Sequence, residues 1–373
     1  MWSAYLDSNP LRAAATRTLG RASRRAYYGP FAPLRVRDLG KPALPGGKWV
    51  RVSNRVAGIS PEEVRLIHLE SNRRASAMAL PRRRTWLGRE VVGEVIEVGA
   101  GVRFLRQGDR VAWQLDQCCA TYEIEPPCRH CAAGNYALCE NRYLTGPEPI
   151  GAGWGDEMVL HEHQLFLVPD TMTDEQAALL DPTASALHAV LRHVPAPGSQ
   201  SLIMGADVSA LLVIQCLRAI SPNAHITVVP RYNFQVEMAT LNGANEVLYP
   251  DDGTSGAARL SGARHLKSRF GPDMLLGGFD VVYDTSGTQG SLQRSLQWVR
   301  DGGAVVLAGH SYTPAHLDFT PIWHREITVI GALTHGAETI AANAATADST
   351  PSNLVGTISL AASMIAERRL APE

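Results

Sequence analysis

Ser201-Leu202-Ile203-Met204-Gly205-Ala206-Asp207-Val208-Ser209-Ala210 is the stretch whose reading decides the fold. A short apolar run ends on a glycine and continues into a segment that reads as helix through Ile220, which predicts strand, tight turn, helix. Similar runs follow at Ile226-Thr227-Val228-Val229, Glu246-Val247-Leu248, Phe279 to Tyr283, Ala304 to Leu307 and Ile327 to Ile330. Helical segments near Phe234–Asn242 and Gly290–Arg300 lie between them. Apolar strands alternating with helices predict a doubly wound α/β domain whose parallel sheet is buried on both faces.

The turn at 205–209 is placed to bind a dinucleotide. Gly205 suits the tight turn, and the backbone N–H groups of Val208 and Ser209 would receive a pyrophosphate at the helix start. Asp207 stands where a second glycine is usual. Its carboxylate would crowd and repel that pyrophosphate, and it is equally a good helix N-cap. The second strand ends in Val229-Pro230-Arg231-Tyr232, with no acid for a ribose 2′-hydroxyl. Arg231 would instead meet a 2′-phosphate and Tyr232 an adenine ring, favouring NADP(H) over NAD(H). Thr285, Gly309 and His310 fall at strand ends expected to face the cofactor crevice.

Upstream, residues 27–180 are dense in Gly, Pro and short β-branched runs such as Trp49 to Val52 and Val91 to Val98, which predicts a β-rich first domain. Thr173 is placed to cap a helix beginning at Asp174. Residues 1–26 carry five arginines against Asp7 alone and lack the apolar core of a secretory signal. They are expected to be an N-terminal extension.

Five of the six cysteines lie between Cys118 and Cys139. Cys128 and Cys131, with Cys139 beyond, have the spacing of thiolates that wrap one tetrahedral zinc. Glu125 is the expected fourth ligand, with Cys118 or Cys119 as alternatives. Three thiolates and one further anion leave no open position, so the zinc would be structural. Clustered cysteines in a globular chain also point to a reducing, cytoplasmic setting.

Length and charge narrow the function. At 373 residues, 45% apolar and 19% charged, the chain is sized for two packed domains. Thirty-five basic residues against 36 acidic ones leave a net charge of −1, no electrostatic case for nucleic acid or an anionic membrane. No apolar run approaches the ~18 residues of a spanning helix. A small-molecule substrate is the expected partner.

Taken in order, Ala57-Gly58-Ile59, Leu87-Gly88-Arg89-Glu90-Val91-Val92-Gly93, Val98-Gly99-Ala100-Gly101-Val102, Gly108-Asp109-Arg110-Val111, the Cys128–Cys139 lobe and Leu180-Asp181-Pro182 form a series. It continues through Asn242-Gly243-Ala244, Asp280 to Asp284 and Gly302 to Gly309. The series resembles the medium-chain dehydrogenase/reductase superfamily, in its zinc-type alcohol, polyol and threonine dehydrogenase branch. The resemblance implies a GroES-like catalytic domain at 27–182 with a zinc lobe near 118–140. It further implies a Rossmann domain at 183–330, hydride transfer, and a last segment, 331–373, returning to the first domain in shortened form. A homodimer or homotetramer is expected.

Departures from that pattern define the candidate catalytic residues. Relatives with a catalytic zinc have Cys in the Gly-Ile-Cys stretch and His in Gly-His-Glu, where this chain has Ser60 and Arg89; the third ligand position is Asp181. A hydroxyl is a poor zinc ligand and a guanidinium is none, so no catalytic zinc is expected. Glu62 stands at the hydroxyl relay position. Arg89 would place a fixed cation where the metal sits in relatives, with Glu90 and Asp181 holding it, unless the three form only a structural ion cluster. The expected function is an NAD(P)(H)-dependent oxidoreductase acting on a carbonyl, an activated alkene or an alcohol. The alternative is an inactive family member serving as a binding or scaffold protein.

Overall fold

The computed structural model describes residues 1–70, 84–311, 313–340 and 353–372. The chain divides into two compact units, Met1–Asp181 and Pro182–Pro372.

The first unit is built on strands β1 (Trp2–Asp7), β2 (Leu34–Asp38), β3 (Trp49–Ala57), β4 (Arg84–Trp86), β5 (Val91–Val98), β6 (Arg110–Trp113), β7 (Glu157–His161) and β8 (Leu165–Leu167). Its helices are α1 (Pro10–Gly20), α2 (Pro61–Ile67), α3 (Arg129–Ala132) and α4 (Asp174–Ala178). An antiparallel sheet runs in the order β7-β3-β5-β6-β8, with Val52 opposite Val95 and Val92 opposite Ala112. Val50, Val52, Val91, Val95, Val111, Met158 and Leu160 form its core, the β-branched composition expected of a strand-built interior.

The N-terminal residues correct the sequence reading. They are not a free extension: β1 lies between β2 and β4, pairing Tyr5 with both Arg35 and Trp86. The apolar Ala4-Tyr5-Leu6 run supplies the reason, since all three side chains are buried. Asn9 caps α1 by accepting from the Leu11 and Arg12 amides.

The second unit contains β9 (Gln200–Met204), β10 (His225–Val229), β11 (Glu246–Val247), β12 (Arg264–Leu266), β13 (Met274–Leu276), β14 (Phe279–Asp284), β15 (Val299–Leu307), β16 (Thr328–Gly331), β17 (Ala337–Ile340) and β18 (Asn353–Gly356). With them come α5 (Leu180–Arg192, opening at the unit boundary), α6 (Val208–Ile220), α7 (Asn233–Leu241), α8 (Gly253–Ser261), α9 (Gln289–Trp298), α10 (Thr320–His324) and α11 (Thr357–Ala366). Six strands make one parallel sheet in the order β11-β10-β9-β14-β15-β16. The order reverses between β9 and β14, the switch point outside which doubly wound sheets bind ligands. Leu202, Val282, Val305, Phe279, Leu296 and Trp298 belong to one buried cluster.

The end of the chain also departs from expectation. The described residues of the last segment, 331–340 and 353–372, belong to the second unit rather than returning to the first. β17 and β18 pair antiparallel, α11 buries Ile358, Ala361, Ala362, Met364 and Ile365, and the Ala371 amide donates to Gln215 of α6. An apolar helix face with backbone pairing beside it secures the segment there. The alanine-rich stretch 341–346 lies outside the described residues.

Candidate functional site

Ser60, Glu62, Arg89, Glu90 and Asp181, singled out along the sequence, gather in the first unit. Ser60 caps α2 in a capping box: its hydroxyl accepts from the Glu63 amide at 3.2 Å and donates to Glu63 Oε2 at 3.1 Å. The other carboxylate oxygen of Glu63 accepts from the Arg89 amide at 3.1 Å and from the Gly88 amide. Gly88 has φ +97°, and a Cβ there would lie 2.4 Å from the Trp154 backbone nitrogen, so only glycine fits the turn that presents Arg89.

The Arg89 guanidinium lies 2.6 Å from Asp116, 3.8 Å from Asp181 and 5.8 Å from the Trp113 ring centre. Burial opposes its charge, but Asp116 and Asp181 outweigh burial and raise its pKa above the ordinary arginine value. Glu90 is pushed up to about 7, first by burial, then by the negative charges of Glu63 and Asp181, with Arg89 opposing and Glu62 adding. The cluster therefore joins a permanent cation to a carboxyl that gains and loses its proton near neutrality. Sequence reasoning missed Glu63, Asp116 and Trp113. The Ser60-x-x-Glu63 spacing was a legible capping signal for the first, whereas nothing local marks the other two.

In the second unit the predicted crevice residues meet at the carboxyl ends of the central strands. Gly205 has φ +122°, and a Cβ there would fall 2.6 Å from Thr285 Oγ1. Thr285 Oγ1 and Ser286 Oγ both donate to the Met204 carbonyl, at 3.0 and 2.9 Å. A Cβ on Gly309 would lie 2.4 Å from the Thr285 backbone, and one on Gly287 2.4 Å from the His310 carbonyl. Asp284 sits beneath, accepting from the Ser286 and Gly287 amides and the Ser291 and Ser295 hydroxyls; burial nevertheless raises its pKa.

Asp207 is the N-cap of α6, accepting from the Ala210 amide at 3.1 Å, while Val208 and Ser209 are exposed in the first turn. Arg231 and Tyr232 follow β10, the guanidinium 5.4 Å from the Tyr232 ring, which stacks on Phe234 at 5.8 Å.

The cysteine lobe corrects the expected ligand set. Cys119, Cys128, Cys131 and Cys139 place their sulfurs within 4.8 Å of one another; Glu125 is not in the group, and Cys119 takes the fourth place. Turns closed by Thr121 N to the Cys118 carbonyl and Ile124 N to the Cys119 carbonyl fold Cys119 back. Its sulfur lies 3.7 Å from that of Cys139, and Cys128 lies 4.0 Å from Cys139. Four thiolates at ~2.3 Å from one zinc sit roughly 3.8 Å apart, so the donor set fits the ion. The Cys128 amide and Asn141 Nδ2 donate to Cys119, as amides do to metal-bound thiolates.

Comparison with known proteins agrees with this organisation. Residues 46–170 match the alcohol dehydrogenase GroES-like domain and residues 210–348 the zinc-binding dehydrogenase family. Sorbitol dehydrogenase of Bacillus subtilis is 28% identical over 225 residues, 60% of this chain and 58% of that protein. An uncharacterized zinc-type alcohol dehydrogenase-like protein of Escherichia coli is 28% identical over 250 residues, 67% of each. The matched region thus spans 58 to 67% of the length of these curated relatives. A zinc-binding dehydrogenase of Sinorhizobium meliloti bound to NADP shares the fold at a TM-score of 0.68 and 24% identity, covering 91% of this chain and 86% of that one. Among the described residues no helix is long and apolar enough to cross a membrane. With a GroES-like first unit, a Rossmann second unit and a four-cysteine lobe in sequence, the chain belongs to the zinc-type alcohol dehydrogenase-like branch of the medium-chain dehydrogenase/reductase superfamily.

Proposed function

We propose that the chain is an oxidoreductase that uses NADP(H) to reduce a carbonyl or activated alkene of a small molecule, or to oxidise the corresponding alcohol, without a catalytic zinc. The observation that carries this reading is the pairing of Arg89, anchored by Asp116 and Asp181, with Glu90 poised near pH 7.

The residues at the catalytic-metal positions do not fit a zinc ion. The Ser60 hydroxyl is engaged in the α2 cap, Arg89 is a permanent cation that repels Zn²⁺, and Asp181 alone offers an anionic oxygen. The chemistry at these positions therefore falls to the side chains themselves. Arg89 N–H groups donate to the substrate oxygen and stabilise the negative charge that develops on it. Glu90 delivers the proton in reduction and takes it in oxidation, the role for which a pKa near neutrality is suited.

The dinucleotide fits the second unit in part. Val208 and Ser209 amides would hold the pyrophosphate, Arg231 a 2′-phosphate and Tyr232 the adenine; when bound, the nicotinamide supplies the hydride. Asp207 works against that site and, with the altered zinc-ligand positions Ser60 and Arg89, favours the alternative of an inactive binding or scaffold protein. Titrating NADPH and NADH while following nicotinamide fluorescence decides between the two. A saturable change, tighter for NADPH, is expected; no saturable change with either cofactor leaves the scaffold reading standing.

A further inference from the structure

The start of α2 and the turn at 88–90 are tied together by a single side chain. Glu63 is 5% exposed. One of its oxygens accepts from the Ser60 amide at 3.2 Å and the Ser60 hydroxyl at 3.1 Å; the other accepts from the amides of Gly88 and Arg89. Every one of these partners is a donor, the pattern that an acceptor-only carboxylate satisfies.

We propose that Glu63 is a positioning residue of the site, which clamps the Arg89–Glu90 turn to α2 and sets the charge around Glu90. The inference rests on the oxidoreductase reading only for the use made of the Glu90 proton.

Among the described residues, Glu62 and Glu63 from α2, Asp181 from α5 and Arg89 beside it are charged groups whose fields act on Glu90. They are not equivalent. Asp181 lies 3.8 Å from the Arg89 guanidinium, which offsets its charge, and Glu62 is exposed to water, which screens it. Glu63 is buried and compensated by peptide and hydroxyl dipoles rather than by a cation, so its field on Glu90 is the least attenuated. After burial, Glu63 is accordingly the largest influence raising the Glu90 pKa. Gly58 leaves room for the Glu90 carboxyl: a Cβ there would meet Oε2 at 2.4 Å.

The test titrates Glu90 directly, in protein carrying glutamate labelled with ¹³C at the carboxyl carbon, its signal assigned by loss in Glu90→Gln. Glu63→Gln keeps an acceptor for the turn and removes the charge. It should lower the Glu90 midpoint by about one pH unit. Glu63→Asp keeps the charge and shortens the clamp, and should leave the midpoint within a few tenths of wild type. Glu62→Gln, at an exposed site, should move it less than Glu63→Gln does. An unchanged midpoint in Glu63→Gln, or an equal drop in Glu63→Asp, overturns the assignment. Should Glu63→Gln not fold, Glu62→Gln decides: a fall of the Glu90 midpoint to the ordinary carboxylate range in that variant overturns the proposal, and a small shift supports it. The cofactor titration on the same samples reports separately on the oxidoreductase reading, so the two can fail independently.

Discussion

Arg89 Nη1 lies 2.6 Å from Asp116 Oδ2, while Nη2 is 3.8 Å from Asp181 Oδ1, so one end of the guanidinium is tightly paired and the other only loosely held. The loose end has donors to offer a substrate oxygen. A third of the Arg89 side chain reaches solvent and Asp116 is 63% exposed, so the close pair contributes at most about 1 kcal/mol to stability. Arg89→Met should then reduce kcat by about 10²-fold or more, the scale of losing one electrostatic donor to the transition state, with Tm nearly unchanged. Kinetics and thermal unfolding measured together check this. A large drop in Tm with kcat retained would show Arg89 to be a structural ion-pair residue.

Glu90 predicts opposite pH limbs for the two reaction directions. Below about 7 its carboxyl is protonated and acts as acid; above, it is ionised and acts as base. Reduction should therefore decline as pH rises through about 7, and oxidation should increase over the same interval. In Glu90→Gln both limbs should flatten. Parallel limbs in the two directions, unaffected by this substitution, would remove Glu90 from the chemistry.

The cysteine lobe makes a prediction about metal content. Purified protein should carry about one zinc per chain, released only with unfolding of the lobe. Cys119→Ser should lose it, because the four-sulfur group then lacks a thiolate, while Glu125→Gln should retain it. Metal analysis of the two variants reads this directly. Retention by Cys119→Ser together with loss in Glu125→Gln would restore the ligand set expected from sequence.

Much of this organisation was legible in the chain, and the limits have physical causes. The parallel sheet was readable because strands buried on both faces are continuous apolar runs, as Leu202-Ile203-Met204 and Val281-Val282-Tyr283 are. Three cysteines were readable from spacing, but the fourth depended on how a turn folds Cys119 back, which spacing alone does not specify. The β1 strand was hidden by an arginine-rich neighbourhood, although Ala4-Tyr5-Leu6 carried its apolar signal. Asp116 could not have been found: it is 27 residues from Arg89, and only the folded chain brings the two charges together.

Arg231 is expected to set cofactor preference. A charged hydrogen bond to a 2′-phosphate is worth about 1.5–3 kcal/mol, so Arg231→Ala should weaken NADPH roughly 10- to 100-fold and leave NADH nearly unaffected. Asp207→Gly should do something different, strengthening both cofactors by removing a carboxylate from the pyrophosphate site. Equal loss of both cofactors in Arg231→Ala would defeat the phosphate assignment.

His161 makes the first unit sensitive to acid. It is fully buried, its Nδ1 accepting from the His163 amide at 3.2 Å while Nε2 has no hydrogen-bond partner among the described residues. Trp49 and His163 cover the ring, and Glu123 is 3.8 Å away. Burial, reinforced by His163, pushes its pKa down to about 4, against the opposing pull of Glu123 and Glu162. The unfolded chain takes up this proton near 6.5, well before the folded one does. Stability is therefore complete above about 6.5 and falls as pH drops toward 4, by on the order of 3 kcal/mol at most. His163, which burial also shifts down, and Glu90 titrate over the same range, so the difference between wild type and a His161 variant from pH 6.5 to 5 isolates the His161 contribution. Urea midpoints across that interval should fall more steeply in wild type than in His161→Gln, which has no proton to gain at that position. Identical slopes in the two proteins would assign the acid sensitivity to other groups.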